Sequence, residues 1–255
     1  AGVRRVLQLN GYMYYKEHLF LVTDLLKDNL YEFQKWLSDR GEAPYFTIPR
    51  IQRVARQVLE ALAFVHGLGI VHCDLKPENI LIRSYSQCHV ELIDFGSSAL
   101  CTDHLTSYVQ SRSYRAVETI LGLPYGPKID VWSLGCVLVE LLTGDVLFVN
   151  ESVQTILARI QTLLGPIPEA MLAQGRETDK YFLPDFSAIY EPTEEGPVLL
   201  LGPKEGHSLR THLAPLLKGD HLFADFLESL LTIDPQKRPT AVQALTHPFL
   251  RKEYP

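Results

Sequence analysis

The apolar run from Val131 to Val149 constrains this fold more than any other segment of the chain. It is long enough to raise the question of a membrane, but Glu140 and Asp145 would each be costly at a bilayer centre. Gly144 directly after Thr143 also marks the end of a helix. The run is therefore expected to be a helix buried in a protein core. With 255 residues the chain can build one large domain or two small ones around it. Hydrophobic residues at 46% and charged residues at 21% argue against a disordered tail, a collagen-like repeat or a coiled coil. Lys and Arg total 24 against 30 Asp and Glu, so the formal charge is −6. That balance disfavours direct nucleic-acid binding as the main task. Cys73, Cys88, Cys101 and Cys136 are too few for a disulfide scaffold, and none stands in a Cys-x-x-Cys pair that would suggest zinc. The usage fits a reducing, intracellular compartment, cytoplasmic or nuclear. No signal-peptide pattern opens the chain.

Leu19 to Thr23 reads as a strand, with Tyr12 to Tyr15 as its partner across Lys16-Glu17-His18. A short helix follows from Asn29, with Leu30, Phe33 and Trp36 at helical spacing. Thr47-Ile48-Pro49 opens a stronger one, because Ile51, Val54, Ala55, Val58, Leu62 and Val65 keep the i, i+3, i+4, i+7 pattern until Gly67 and Gly69. Ile80 to Ile82 and Val90 to Ile93 read as a hairpin. Helices are then expected over Asp130 to Leu142, Val153 to Leu164, Leu222 to Leu231 and Thr240 to Leu245, the last capped by Thr240. Between Gly165 and Pro215 the periodicity weakens and seven of the sixteen prolines accumulate, which predicts an irregular surface insertion.

His72-Cys73-Asp74-Leu75-Lys76-Pro77-Glu78-Asn79 lies between a helix and a strand, so it must be a loop. Pro77 fixes its own φ and biases Lys76 toward extended backbone, which stiffens it. Phosphoryl transfer needs a carboxylate for a hydroxyl proton, a cation beside the moving phosphate and an amide oxygen for a metal ion. The loop holds all three. Asp94-Phe95-Gly96, directly after an apolar strand, offers a second carboxylate, and Gly96 would let the chain leave that strand sharply. Alone, an Asp-Phe-Gly is usually a turn and a His-x-Asp an ordinary loop. A metal-dependent hydrolase built on Asp74, Asp94 and a histidine is the weaker alternative, since His66, His72 and His89 lack ligand-like spacing.

Taken together and in this order, the two loops closely resemble the catalytic and metal-binding loops of eukaryotic protein kinases. Ala116-Val117-Glu118 stands where kinases carry Ala-Pro-Glu, Asp130 to Gly135 resembles the start of their central buried helix, and Asp234 to Pro239 their arginine-bearing loop. His-Cys-Asp, Asp-Phe-Gly-Ser-Ser, Tyr108-Val109-Gln110-Ser111-Arg112-x-Tyr114-Arg115 and the hinge-like Leu25 to Tyr31 are similar to the dual-specificity tyrosine-phosphorylation-regulated kinases and the homeodomain-interacting kinases. The resemblance implies an α+β protein-kinase-like fold. A mainly helical carboxy-terminal lobe would cover 27–250, with an insert at about 165–215. Residues 1–26 would be a short β remnant of the small lobe and the hinge.

It also implies roles. Asp74 would be the catalytic aspartate and Lys76 would neutralise charge on the moving phosphoryl group. Asn79 and Asp94 would hold Mg2+. Thr23 would be the gatekeeper, Asp24 and Leu26 would present hinge backbone to the adenine of ATP, and Asn29 would lie near the ribose. Tyr108 would be an autophosphorylation site, its phosphate clamped by Arg112 and Arg115. His72 beside Phe95, Asp130 bracing the catalytic loop, and a Glu118–Arg238 ion pair would be structural. Substrates would be Ser/Thr hydroxyls of proteins.

A kinase also needs a glycine-rich loop over the phosphates, a strand lysine and a helix glutamate paired with it. None stands in this sequence. Gly67-x-Gly69-x-x-His72 follows a helix and lacks the third glycine, and the only lysine before the hinge is Lys16. The resemblance therefore implies that the chain starts at the fourth strand of the small lobe, has little or no activity alone, and exposes an apolar patch able to drive association. A non-catalytic scaffold that binds partners through its helical lobe is the second reading. Val117, in place of proline, and Ser113, where an aromatic is usual, put the peptide preference in question.

Overall fold

Every residue from Ile129 to Leu141 is buried, within a helix that runs from Lys128 to Thr143 and ends where Gly144 turns left-handed at φ +87°. The remaining elements wrap this rod in a computed structural model that describes residues 5–103, 109–149, 151–193, 196–200 and 206–254. Strands β1 (Leu9–Tyr15) and β2 (His18–Thr23) form an antiparallel hairpin, followed by α1 (Leu30–Asp39) and α2 (Ile48–Gly67). Next come β3 (Ile70–Val71), β4 (Ile80–Ser84), β5 (His89–Leu92) and β6 (Ala99–Leu100). A short α3 (Val117–Ile120) precedes the buried rod, α4. Then follow α5 (Val153–Leu164), α6 (Glu169–Gln174), β7 (Ile189–Thr193), β8 (Gly196–Leu200), α7 (Leu209–Leu217), α8 (His221–Leu230), α9 (Ala241–Ala244) and α10 (Pro248–Arg251).

Local chemistry accounts for the main elements. Asn29 caps α1 by accepting from the Glu32 backbone N–H at 2.8 Å. The periodic residues of α2 are all buried, and the helix packs against α4, β5 and α9. Gly135 lets α4 approach the end of α8: a Cβ there would lie 2.8 Å from the Leu231 side chain. Trp132 stacks on Phe148 with centroids 5.9 Å apart. Three two-stranded ladders matter for the site: β1–β2, β3–β6 and β4–β5, the last registering Ile80 with Leu92 and Ile82 with Val90. Among the described residues no helix is long and apolar enough to cross a membrane.

Two expectations need correction. His18 is not in the first turn; it pairs with Tyr15, because Lys16 and Glu17 alone, both at positive φ, make a two-residue turn. The stretch 165–215 is not irregular: it holds α6, the β7–β8 hairpin and α7, whose N-terminus carries a Ser208–Thr211 capping box. Elements of five to nine residues are too short to show a period. They are held by burial of Leu172, Phe182, Ile189, Leu209 and Leu213, which local sequence does not display.

Candidate active site

The loop from His72 to Asn79 leaves β3 and enters β4, so its ends are pinned by two ladders. Cys73 sits at φ +66°, a conformation that a β-carbon disfavours. Asp130, in the first turn of α4 and fully buried, holds that backbone in place. Its carboxylate accepts the N–H of His72 at 2.9 Å and of Cys73 at 3.0 Å, with His66 Nε2 2.8 Å away. His72 is buried, its ring edge-on to Phe95 at 5.0 Å. Its Nδ1 accepts from the Asp74 N–H at 3.2 Å, which leaves Nε2 to donate to the Ile93 carbonyl at 2.9 Å.

This frame presents the Asp74 carboxylate. Lys76 Nζ donates to its Oδ2 at 2.8 Å, Ser111 Oγ to its Oδ1 at 2.8 Å, and Asn79 Nδ2 to its Oδ2 at 3.3 Å. Burial pushes the Asp74 carboxyl up, but the hydrogen bonds from Lys76 and Ser111 together outweigh it and hold the group below the usual carboxylate range. It is ionised at neutral pH. Lys76 also reaches Ser111 Oγ at 3.3 Å, so three side chains form one closed cluster. Ser111 was not singled out from sequence as a site residue. It stands one residue before Arg112 in a motif read for its phosphate clamp.

Asn79 Nδ2 is engaged by the Asp74 carbonyl at 2.8 Å, which leaves the amide oxygen to face a cation. The Asn79 carbonyl accepts from the Ile93 N–H at 3.0 Å and thereby draws Asp94 to the same end of the loop. The sharp exit from β5 occurs at Asp94 itself, at φ +61°, and not at Gly96 as expected. Gly96 serves by its lack of a side chain: its N–H binds Asp94 Oδ1 at 3.1 Å, and a Cβ would lie 3.1 Å from that oxygen. An amide oxygen and a carboxylate are hard donors of the kind Mg2+ takes alongside phosphate oxygens.

The hinge candidates lie between β2 and α1. Lys27 N–H donates to the Ile82 carbonyl at 2.8 Å and Ile82 N–H to the Asp28 carbonyl at 2.9 Å, so the segment runs beside β4, which starts one residue after Asn79. Thr23 Oγ donates to the Asp24 carbonyl at 3.2 Å. Asp24 accepts from Asn10 at 2.9 Å and Arg83 at 3.0 Å, and these bonds hold its carboxyl below the usual range. Leu26 is half-buried, while the Asn29 side-chain oxygen is committed to capping α1.

Tyr108 lies outside the described residues. Arg112 and Arg115 line a cleft of about 490 Å³ together with Asp74 and Ser111. The Arg115 guanidinium is buried and donates to the Gln110 carbonyl through Nη2 at 2.7 Å. Gln110 is itself at φ +68° and anchors the segment to α4 through Ser133 Oγ at 2.7 Å. Tyr114, in the next turn, donates its hydroxyl to Glu140 at 2.7 Å, a link that sequence reading passed over. Glu118 and Arg238 meet as a two-pronged pair at 2.6 and 2.9 Å, each about 1% exposed. Arg238 also donates to the carbonyls of Thr232, Lys128 and Ile233, and its guanidinium lies 5.0 Å from the Trp132 ring centre. Val117 is fully buried at the start of α3.

Such a loop, braced from a buried helix and facing a second acidic turn, has a counterpart among known proteins. Over residues 2–250 the chain matches the protein kinase domain, and it belongs to that family; its fold is the α+β kinase fold that the motifs implied. Within the family it is similar to the dual-specificity tyrosine-phosphorylation-regulated kinases. It is 38% identical to dual specificity tyrosine-phosphorylation-regulated kinase 3 of Rattus norvegicus, across 100% of this chain and 45% of that protein. The mbk-2 kinase of Caenorhabditis elegans is 35% identical across 100% of this chain and 32% of its own length. The probable serine/threonine-protein kinase dyrk2 of Dictyostelium discoideum is 36% identical across 97% of this chain and 26% of its own. The chain thus spans less than half the length of these relatives.

Proposed function

We propose that this chain carries the catalytic lobe of a serine/threonine kinase of the dual-specificity type, which moves the γ-phosphate of ATP to hydroxyls of protein substrates. The observation that carries the reading is the ionised Asp74 carboxylate, held between Lys76 and Ser111 at 2.8 Å each with Asn79 behind it. In that geometry Asp74 orients the substrate hydroxyl and receives its proton. Lys76, already within reach, offsets charge on the transferring group. The Asn79 amide oxygen and the Asp94 carboxylate hold Mg2+, which neutralises the phosphate oxygens when bound. Thr23, Asp24 and Leu26 border the adenine, and Asn29 lies toward the ribose.

Residues 1–26 serve as the small-lobe and hinge portion and 27–250 as the large lobe. Tyr108 is the modified tyrosine, with Arg112 and Arg115 beside its phosphate. The protein works inside the cell. Since no residue of this sequence supplies the glycine-rich loop or the strand lysine, the 255-residue polypeptide alone turns over little. The second reading is a non-catalytic scaffold that keeps the fold without the chemistry.

Thermal melting with nucleotide separates the two. The kinase reading expects a rise in melting temperature that needs Mg2+ and ATP together and disappears in Asp94→Asn. No shift at millimolar Mg2+ and ATP, or a shift indifferent to the metal, sinks it.

A further inference from the structure

Helix α1 carries a mostly polar stripe beside its apolar one. Tyr31, Gln34, Lys35 and Ser38 recur at i, i+3, i+4 and i+7, so they share one face of the helix. Gln34 ties that face to the end of α4, its Nε2 donating to the Glu140 carbonyl at 3.2 Å. Between the two helices lies a cavity of about 470 Å³, within the usual size of a small-molecule site. Leu37, Tyr45, Phe46 and Leu141 supply its apolar surface. Every residue that lines it belongs to 31–46 or 140–144, so the Asp74 cluster and the β1–β2 ribbon take no part in it.

The electrostatics of this cavity lean to one sign. Asp39 and Glu42 are exposed at its edge, and among the described residues neither is in an ion pair. Two helices also end in its wall, α1 at Asp39 and α4 at Thr143, and neither has a basic residue in its last turn. A helix C-terminus carries about half a negative charge and attracts cations. Arg40, which caps α1, does not line the cavity; its guanidinium stacks on Trp36 at 4.4 Å. Glu140 does line it, but its carboxylate is engaged by the Tyr114 hydroxyl at 2.7 Å. Lys35 is the one cation among the described lining residues, set against two free carboxylates and two helix ends. We propose that this cavity binds an amphipathic amine. Its apolar ring or chain packs among Leu37, Phe46 and Leu141, and its ammonium stays at the edge with Asp39 and Glu42. A ligand of the same shape bearing a carboxylate meets the same groups as repulsion. The site uses no residue of the Asp74 cluster and holds whether or not the chain transfers phosphate.

Three probes that share an indole ring separate charge from shape: tryptamine, the neutral tryptophol and the anionic indole-3-acetate. Protein-observed NMR titration of the 255-residue chain reads the affinity and the place of each, with far-UV melting of every variant to verify the fold. Tryptamine is expected to shift resonances of 31–46 and 140–144 and to bind at least roughly tenfold more tightly than tryptophol. That preference should shrink as salt rises from about 20 to about 300 mM, and indole-3-acetate should not bind there. Asp39→Asn with Glu42→Gln is expected to remove the preference without lowering the melting temperature, since both residues are exposed. Ser38→Trp, which fills the cavity from α1, is expected to abolish binding of tryptamine and tryptophol alike. No shift at about 10 mM tryptamine, equal affinities for the amine and the alcohol, an undiminished preference in the double variant, or shifts confined to other residues each overturns the proposal. If Ser38→Trp unfolds, the exposed double variant carries the test alone.

Discussion

Replacing Glu118 by glutamine probes the buried contact that joins the segment after the catalytic cleft to the far end of the chain. The amide keeps the shape and one acceptor oxygen, but it leaves the Arg238 guanidinium charged and about 1% exposed with no counter-ion. Arg238 retains the carbonyls of Thr232, Ile233 and Lys128 and the face of Trp132, so its hydrogen-bonding capacity is largely met. What is lost is charge compensation in a low-dielectric site, and removing one partner of such a pair costs about 3–5 kcal/mol. Against a total stability of about 5–15 kcal/mol this is a large share. At about 2–4 °C per kcal/mol for a domain of this size, the melting temperature should fall by roughly 6–20 °C. Calorimetry and urea unfolding of Glu118→Gln, Arg238→Met and the double variant measure it. The double variant should be more stable than the sum of the two singles predicts, because it no longer buries a lone charge. A loss below about 1 kcal/mol in Glu118→Gln, or strict additivity, would refute the argument.

Ser111→Ala removes one of the bonds that depress the Asp74 carboxyl, at a cost of about 1–2 kcal/mol at pH 7. A depressed carboxyl stabilises the fold above its ordinary value of 3.8 and loses that share as pH falls through the folded-state value, so the variant's melting temperature should vary less between pH 7 and pH 3 than the wild type's. Tyr114→Phe strips the donor from Glu140, whose carboxyl burial pushes up. A raised carboxyl works in the opposite sense and takes stability away as pH rises from 4.5 through the folded-state value, so a penalty of about 1–3 kcal/mol at pH 7.5 should shrink at pH 5, and equal penalties would count against it. Gly135→Ala pushes a methyl to 2.8 Å from Leu231. Overpacking of about 1–3 kcal/mol should exceed the gain of about 1 kcal/mol in helix propensity, giving net destabilisation in urea; a more stable variant would show that Leu231 yields freely.

By itself the sequence determined the elements whose causes are local. The helix Ile48–Gly67 and the buried rod Lys128–Thr143 follow from apolar spacing and terminating glycines, and Asn29 and Thr240 cap where short-range hydrogen bonding places them. The loop from His72 to Asn79 was legible because its residue types and spacing belong to one stretch of chain. The segment 165–215 was not, since short elements show no period and take their place from what they bury. Tertiary structure alone decided which distant groups meet. Ser111 approaches Asp74 across 37 positions, and Arg238 reaches Glu118 across 120. It also decided that Asp94, not Gly96, takes the left-handed turn. Such pairings depend on the fold closing first: a charge or a strained φ is stable only where neighbours from other elements surround it, and those neighbours are not written beside it in the chain.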